Sequence, residues 1–204
     1  MTTPFELKKV IDRNFTNHKA TLTDGDVAII DWRNENNSND YYIRYILDKP
    51  TGTLIINGYF GTCMICWDHK LTAHEMTGLA TSDALYFVDK AINSSGLFDF
   101  SRYNIRKDII DNIGLKRICK FTTESSEFSS RKEIIDFIEN EIEKSSMVLA
   151  NATGRFIPTD KLSIVLNQID CDSFIWLQDC GREIHSKVYY WIEGLKAACH
   201  QLSI

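Results

Sequence analysis

No apolar run in this chain approaches the ~20 residues that a transmembrane helix needs. The N-terminus, MTTPFELKKVIDR, lacks the uninterrupted apolar core of a secretory signal. These absences exclude a membrane-spanning reading and point to the cytoplasm. There is no internal repeat and no low-complexity segment. No strong charge of either sign is present: the net charge is −5, which disfavours a protein that coats nucleic acid through general positive charge. Six cysteines occur, but no disulfide framework is expected of a cytosolic chain of this size, and reduced core residues are the simpler reading. No catalytic signature stands out and no residue pattern points to a cofactor. What remains is a chain of 204 residues with an apolar fraction of 44%, enough for one large domain or two small ones.

The pattern along the chain is a helix, a run of strands, then a run of helices. Thr3 and Pro4 suit the start of a helix over 4–15, with Phe5, Val10, Ile11 and Phe15 on its apolar face. Segments 27–32, 41–47, 54–56 and 63–67 are rich in β-branched and aromatic residues and are separated by turn chemistry at Asp24-Gly25-Asp26, the polar stretch 34–40, and Lys49-Pro50-Thr51-Gly52. The expectation is an antiparallel sheet of about four strands within residues 26–68. Helices are expected over 82–92, 104–118, 130–144, 158–169 and 182–201, with a polar loop at 122–130, a capping box at Ser130 and Glu133, and a connector at 150–154. In the last helix Ile184, Val188, Trp191, Ile192, Leu195, Cys199 and Leu202 form one apolar stripe. This order gives an α+β fold: helices packed on one face of an antiparallel sheet, with a helical C-terminal half. A sheet domain over 1–121 and a helical region over 130–204 are one division; a single continuous domain is the other.

Cys63-Met-Ile-Cys66, followed by His69 and His74, superficially resembles a zinc site. Residues three apart on a strand point to opposite faces, and Thr62–Trp67 has no turn residue to form a knuckle. A structural strand is therefore favoured, and no metal site is assigned. Gly58 and Gly61 in NGYFG suit a hairpin turn; the motif lacks the pattern of a phosphate loop and leads into a strand. Asp68-His69 and His74-Glu75 place imidazoles beside carboxylates, without a nucleophile tied to them.

Charge is patterned. Basic residues Arg106, Lys107 and Arg117 fall within 102–120, and the acids Asp136, Glu139 and Glu143 make a stripe on the helix over 130–144. Two solvated faces or one intramolecular pairing would account for this. A sharper alternative matches the acidic stripe to a basic groove on a partner, or the basic helix to nucleic acid. Tyr189-Tyr190-Trp191 cannot all face a core: Trp191 lies on the stripe, and the tyrosines are either exposed interface anchors or part of a wide buried face.

At LIINGYFGTCMICW the chain resembles a widespread set of small proteins encoded by phages and prophages. The shared pattern is an apolar strand, a Gly-x-x-Gly turn, a strand ending near an aromatic residue, and a helix with a Tyr-Phe pair. Here these are Ile55, Ile56, Gly58, Gly61, Trp67 and Tyr86-Phe87. The closing YYWIEGLKAACHQL is similar to the last helix of such proteins. Some proteins with a similar N-terminal half are anti-CRISPR inhibitors of type II effector nucleases. The resemblance therefore implies an inhibitor of a bacterial defence system, acting in the host cytoplasm. It would bind a type II CRISPR effector nuclease or its guide RNA and work by occupancy rather than turnover. Similar proteins often carry an acid after the first glycine; here that residue is Tyr59. Two alternatives stay open: an enzyme, either a guide-RNA nuclease or a hydrolase using His69 and His74, and a phage accessory protein with another protein partner.

Overall fold

Alternation of apolar and polar residues in VAIIDWRN, IRYILD, TLIING and CMIC builds the frame of the fold. The computed structural model describes residues 4–36, 39–72, 75–93 and 96–204. The chain divides into two units, Met1–Leu97 with Ile184–Ile204, and Phe98–Glu183. In the first unit the order is α1 (Pro4–Asn14), β1 (His18–Thr23), β2 (Val27–Asn34), β3 (Ile43–Asp48), β4 (Thr53–Gly58), β5 (Cys63–Cys66), α2 (Met76–Thr81), α3 (Ala84–Lys90) and β6 (Ala91–Asn93). The second unit runs β7 (Phe98–Phe100), α4 (Arg102–Ile113), α5 (Leu115–Glu124), α6 (Arg131–Lys144), α7 (Met147–Thr153), α8 (Asp160–Ile169), α9 (Ser173–Trp176) and all but the last residue of β8 (Arg182–Ile184). The last helix, α10 (Ser186–Leu202), belongs to the first unit.

The α+β class holds, but the main sheet has six strands in the order β1-β2-β3-β4-β5-β6, not about four. The four expected strands are β2 to β5. The two added ones escaped for physical reasons. HKATLT is an edge strand whose only inward apolar side chains are Ala20 and Leu22, so its alternation is faint. AIN is three residues long and continues directly from α3, so it reads as a helix end. Every pairing between neighbours is antiparallel.

One face of the sheet is buried. It carries Ala28, Ile30 and Trp32, then Ile43, Tyr45 and Leu47, Leu54 and Ile56, and Cys63 and Ile65. The α10 helix packs across β1, β2 and β3, and α1 and α2 pack against α10. Val188, Trp191, Ile192, Leu195 and Cys199 of the expected stripe are buried, each large side chain contributing about 1.5–3 kcal/mol. The helix starts at Ser186 rather than 182, because His185 takes the cap: its Nδ1 accepts from the Lys187 N–H at 3.1 Å. Gln201 seals the outer edge of β1. Its Nε2 donates to the His18 carbonyl and its Oε1 accepts from the Ala20 N–H, both at 3.0 Å. In α1, Ile11 and Phe15 are buried as expected; Thr3 and the Phe5 side chain lie outside the described residues.

In the second unit, Gly114 at φ +73° splits the expected helix 104–118 into α4 and α5, and α5 runs on to Glu124 into the expected loop. The boundary expected near 121–130 falls inside this unit, between α5 and α6. Ser130 caps α6 by accepting from the Glu133 N–H, while the Glu133 carboxylate binds the N–H and hydroxyl of Ser129 rather than closing the box on Ser130. The expected connector at 150–154 is instead the end of α7, which Gly154 terminates in the left-handed region.

Candidate functional site

The most distinctive surface of the first unit is an aromatic tip. Because β3 pairs Ile43 with Gly58, the β2–β3 connection and the β4–β5 turn end on the same side of the sheet. The ladder continues one step further: the Tyr59 N–H donates to the Tyr42 carbonyl at 2.8 Å, and the Gly61 N–H closes the turn on the Gly58 carbonyl at 3.0 Å. Glycine is required at 58, since a Cβ there would lie 2.1 Å from the Tyr42 carbonyl oxygen. Tyr59 and Phe60 are thereby held at the tip, with Tyr59 59% exposed. The Tyr59 ring lies 5.2 Å from both Tyr41 and Phe60, Phe60 lies 4.3 Å from Tyr190, and Tyr41 stacks on Tyr190 at 5.9 Å. Asn14 Nδ2 donates to the Tyr190 hydroxyl at 2.7 Å. Tyr41 holds φ +56°, a conformation costing a non-glycine residue about 1–2 kcal/mol. Its ring contacts offset that strain. Tyr190 is thus buried in the cluster rather than exposed beside Trp191, and Tyr189 is half-buried.

Next to the tip, a polar cluster stands on the sheet face opposite the buried one. Arg44 donates to both Asp31 oxygens at 2.8 and 2.9 Å, and the Tyr42 hydroxyl donates to Asp31 at 2.9 Å. Partial burial pushes the Asp31 carboxyl upward, but the hydrogen bonds from Arg44 and Tyr42 outweigh it and hold its pKa below the ordinary value. The Arg33 guanidinium lies 4.3 Å over the Tyr42 ring. Rigid tyrosines and an arginine fixed by stacking lose little side-chain entropy on binding, which suits them as anchors for a partner.

The charged residues expected to bind a partner lie in the second unit. Arg106 pairs with Glu139 and Arg102 with Glu143, joining α4 to α6. Arg117 pairs with Asp170. Asp136 and Lys107 are exposed and have no ion-pair partner among the described residues. A basic helix and an acidic helix therefore face each other within one unit, around a cleft of about 300 Å³ that also exposes Tyr103.

Cys63 and Cys66 point to opposite faces of β5. Cys63 is buried, and Cys66 lies 3.5 Å from the Thr53 hydroxyl. All six cysteines are free thiols. Cys63, Cys180 and Cys199 are core residues, whereas Cys119 and Cys171 are exposed. Burial, helped by Asp108 and Asp179, pushes the Cys180 thiol up to about 12. Among the described residues, one group offers three potential metal ligands close together, Asp170, Cys171 and Asp172. His69 Nδ1 lies 3.0 Å from Asp68 on an exposed turn and lines a cleft of about 380 Å³ with Trp67, Glu75 and Tyr86. The Glu75 carboxylate there already accepts from the N–H and hydroxyl of Thr72. His74 lies outside the described residues. Among the described residues no helix is long and apolar enough to cross a membrane.

No family model, no curated protein and no solved structure matches the chain. The aromatic tip was not singled out from the sequence. The available signal was the strand register: pairing Ile43 with Gly58 sets Tyr41 and Tyr42 beside Tyr59 and Phe60.

Proposed function

We propose that this chain is a phage- or prophage-encoded inhibitor of a bacterial defence system. It binds a type II CRISPR effector nuclease or its guide RNA and blocks it by occupancy, in the cytoplasm of the host cell. The observation that carries the reading is the aromatic tip. Tyr59 and Phe60 stand between Gly58 and Gly61, inside the segment that bears the phage-protein resemblance, and Tyr59 occupies the position where similar proteins often have an acid. The contact at this position is therefore aromatic rather than electrostatic, and Tyr41, Tyr190 and Asn14 hold it in shape. The acidic stripe is a weaker contributor, because Glu139 and Glu143 already face Arg106 and Arg102 and a basic partner would have to displace them.

The test is binding of the purified protein to guide-loaded nuclease. Tyr59→Ala with Phe60→Ala should weaken binding by about tenfold or more while the fold is kept, with a modest fall in melting temperature from the lost Phe60–Tyr190 packing. Charge reversal at Asp136 and Lys107 should leave it nearly unchanged. Loss of binding on the charge reversals but not on the aromatic truncations would move the interface to the second unit. The cleft beside His69 favours a second reading, an enzyme that cuts guide RNA or hydrolyses another substrate. Shortened guide RNA, restored to full length by His69→Ala, would establish that reading instead.

A further inference from the structure

We infer that His18 is a proton-operated switch for the aromatic tip. Its neutral ring leaves Tyr41 stacked on Tyr190; its protonated ring draws the Asp40–Tyr41 backbone inward and unstacks the tip. This regulation acts on the tip read above as the contact surface, and rests on that reading. His18 is 3% exposed, and neither ring nitrogen has a hydrogen-bond partner among the described residues. Buried polar groups are nearly always bonded, so this ring is an exception that calls for a reason. The carbonyls of Asp40 and Tyr41 lie near enough to favour its charged form, without reaching it in a hydrogen bond. A neutral imidazole has a single N–H and can serve one carbonyl. The imidazolium has two and matches both.

Two paths join this ring to the tip. The first is the backbone. His18 is pinned: its N–H donates to the Phe15 carbonyl at 2.9 Å, and its carbonyl accepts from Gln201 Nε2 at 3.0 Å. The Asp40–Tyr41 backbone must therefore approach the ring, and Tyr41 is the residue already strained at φ +56°. Moving its carbonyl turns the side chain that stacks on Tyr190 at 5.9 Å and touches Tyr59 at 5.2 Å. The second path is packing: the His18 ring lies 5.0 Å from Phe15, and Phe15 meets Tyr190 edge-on at 5.8 Å. No counter-ion is buried with His18. Asp12 and Arg13 on α1, Lys19 on β1, Glu35 after β2, the Asp40 side chain and His200 on α10 are all exposed. The Tyr190 hydroxyl, its pKa raised by burial, stays neutral in acid. The two carbonyls are the groups left to receive the charge. Burial opposes it, so the switch turns below pH 6.5.

The test follows the full chain by NMR from mildly alkaline pH to the onset of acid unfolding. The His18 ring should titrate with a midpoint below 6.5 while the chain is still folded. The Tyr59 and Gly61 amides and the Tyr41 ring should shift with that same midpoint, while the Leu47 amide, at the other end of β3, stays still. The tip shifts should vanish in His18→Phe, which keeps an aromatic ring, and in His18→Gln, which keeps hydrogen-bonding groups that do not titrate. Affinity for guide-loaded nuclease should fall by about tenfold as His18 takes up its proton, and stay level in both variants. Three results each overturn the proposal: a His18 that stays neutral until the chain unfolds, tip resonances that hold still while His18 titrates, or tip shifts that persist in the variants. Nuclease that fails to bind at any pH overturns the inhibitor reading alone, since the tip resonances decide the switch without a partner.

Discussion

A methyl group on residue 194 probes how closely α10 is seated on the sheet. An ideal Cβ at Gly194 would lie 2.7 Å from Tyr45 Oη and 2.9 Å from Ile43 Cδ1. Tyr45 is fully buried, and its hydroxyl donates to the Trp191 carbonyl at 2.7 Å, so the ring cannot swing away without breaking that bond. In an exposed helix, Gly→Ala would stabilise by about 1 kcal/mol. Here overpacking costs about 1–3 kcal/mol, and loss of the Tyr45 hydrogen bond costs about another 1 kcal/mol. The net expectation for Gly194→Ala is a destabilisation of about 1–3 kcal/mol, or a melting point lower by roughly 3–10 °C. Tyr45→Phe alone should cost about 1 kcal/mol, the worth of its hydrogen bond. It also removes the nearest obstacle, so the double variant should be more stable than the sum of the singles by about 1 kcal/mol or more. Urea unfolding of the four proteins measures this coupling. A Gly194→Ala variant stabilised as in a free helix, or strict additivity with Tyr45→Phe, would refute the close seating.

His18 should make stability depend on pH. Burial holds its pKa below the ordinary 6.5, and the backbone carbonyls of Asp40 and Tyr41 facing its ring offset this only partly. The unfolded chain therefore binds the proton first as pH falls: stability is full above 6.5 and is lost between 6.5 and the lower folded value. The urea midpoint should fall across that window in the native chain and much less in His18→Phe; a flat native profile would contradict the assignment. Asp31→Asn should cost about 1 kcal/mol or less, because the Arg44 pair is partly exposed, and the difference should shrink in high salt; a cost well above that would show the cluster to be more deeply coupled to the core. Protein purified without chelator should contain no stoichiometric zinc, since Cys63 and Cys66 face apart; zinc that disappears in Cys63→Ser would overturn the strand geometry.

Much of the first unit was legible because its strands are regular. Ile30, Ile43, Leu54 and Ile65 alternate with half-buried neighbours, and turn residues separate their strands. The stripe of α10 was legible for the same reason at helical spacing. Weak or short signals were lost: HKATLT buries little, and Gly114 interrupts an isoleucine pattern that reads straight through it. The site residues were harder, because their state depends on tertiary contacts. Arg106 and Glu139 are 33 residues apart, so the sequence leaves two solvated faces and one intramolecular pairing equally open, and only the packing of α4 on α6 selects the pairing. Tyr190 looks like a flanking residue until the Tyr59–Phe60 tip folds over it.

The central claim, inhibition by occupancy, is tested most directly by titrating the purified protein into a cleavage reaction of type II effector nuclease, guide RNA and target DNA. Inhibition should become complete near one molecule of protein per nuclease, with guide and target RNA and DNA lengths otherwise unchanged, and it should be lost in the Tyr59→Ala, Phe60→Ala variant. Unimpaired cleavage across a panel of such nucleases would contradict the account. Inhibition at far less than stoichiometric protein, with shortened guide RNA, would contradict it in favour of turnover.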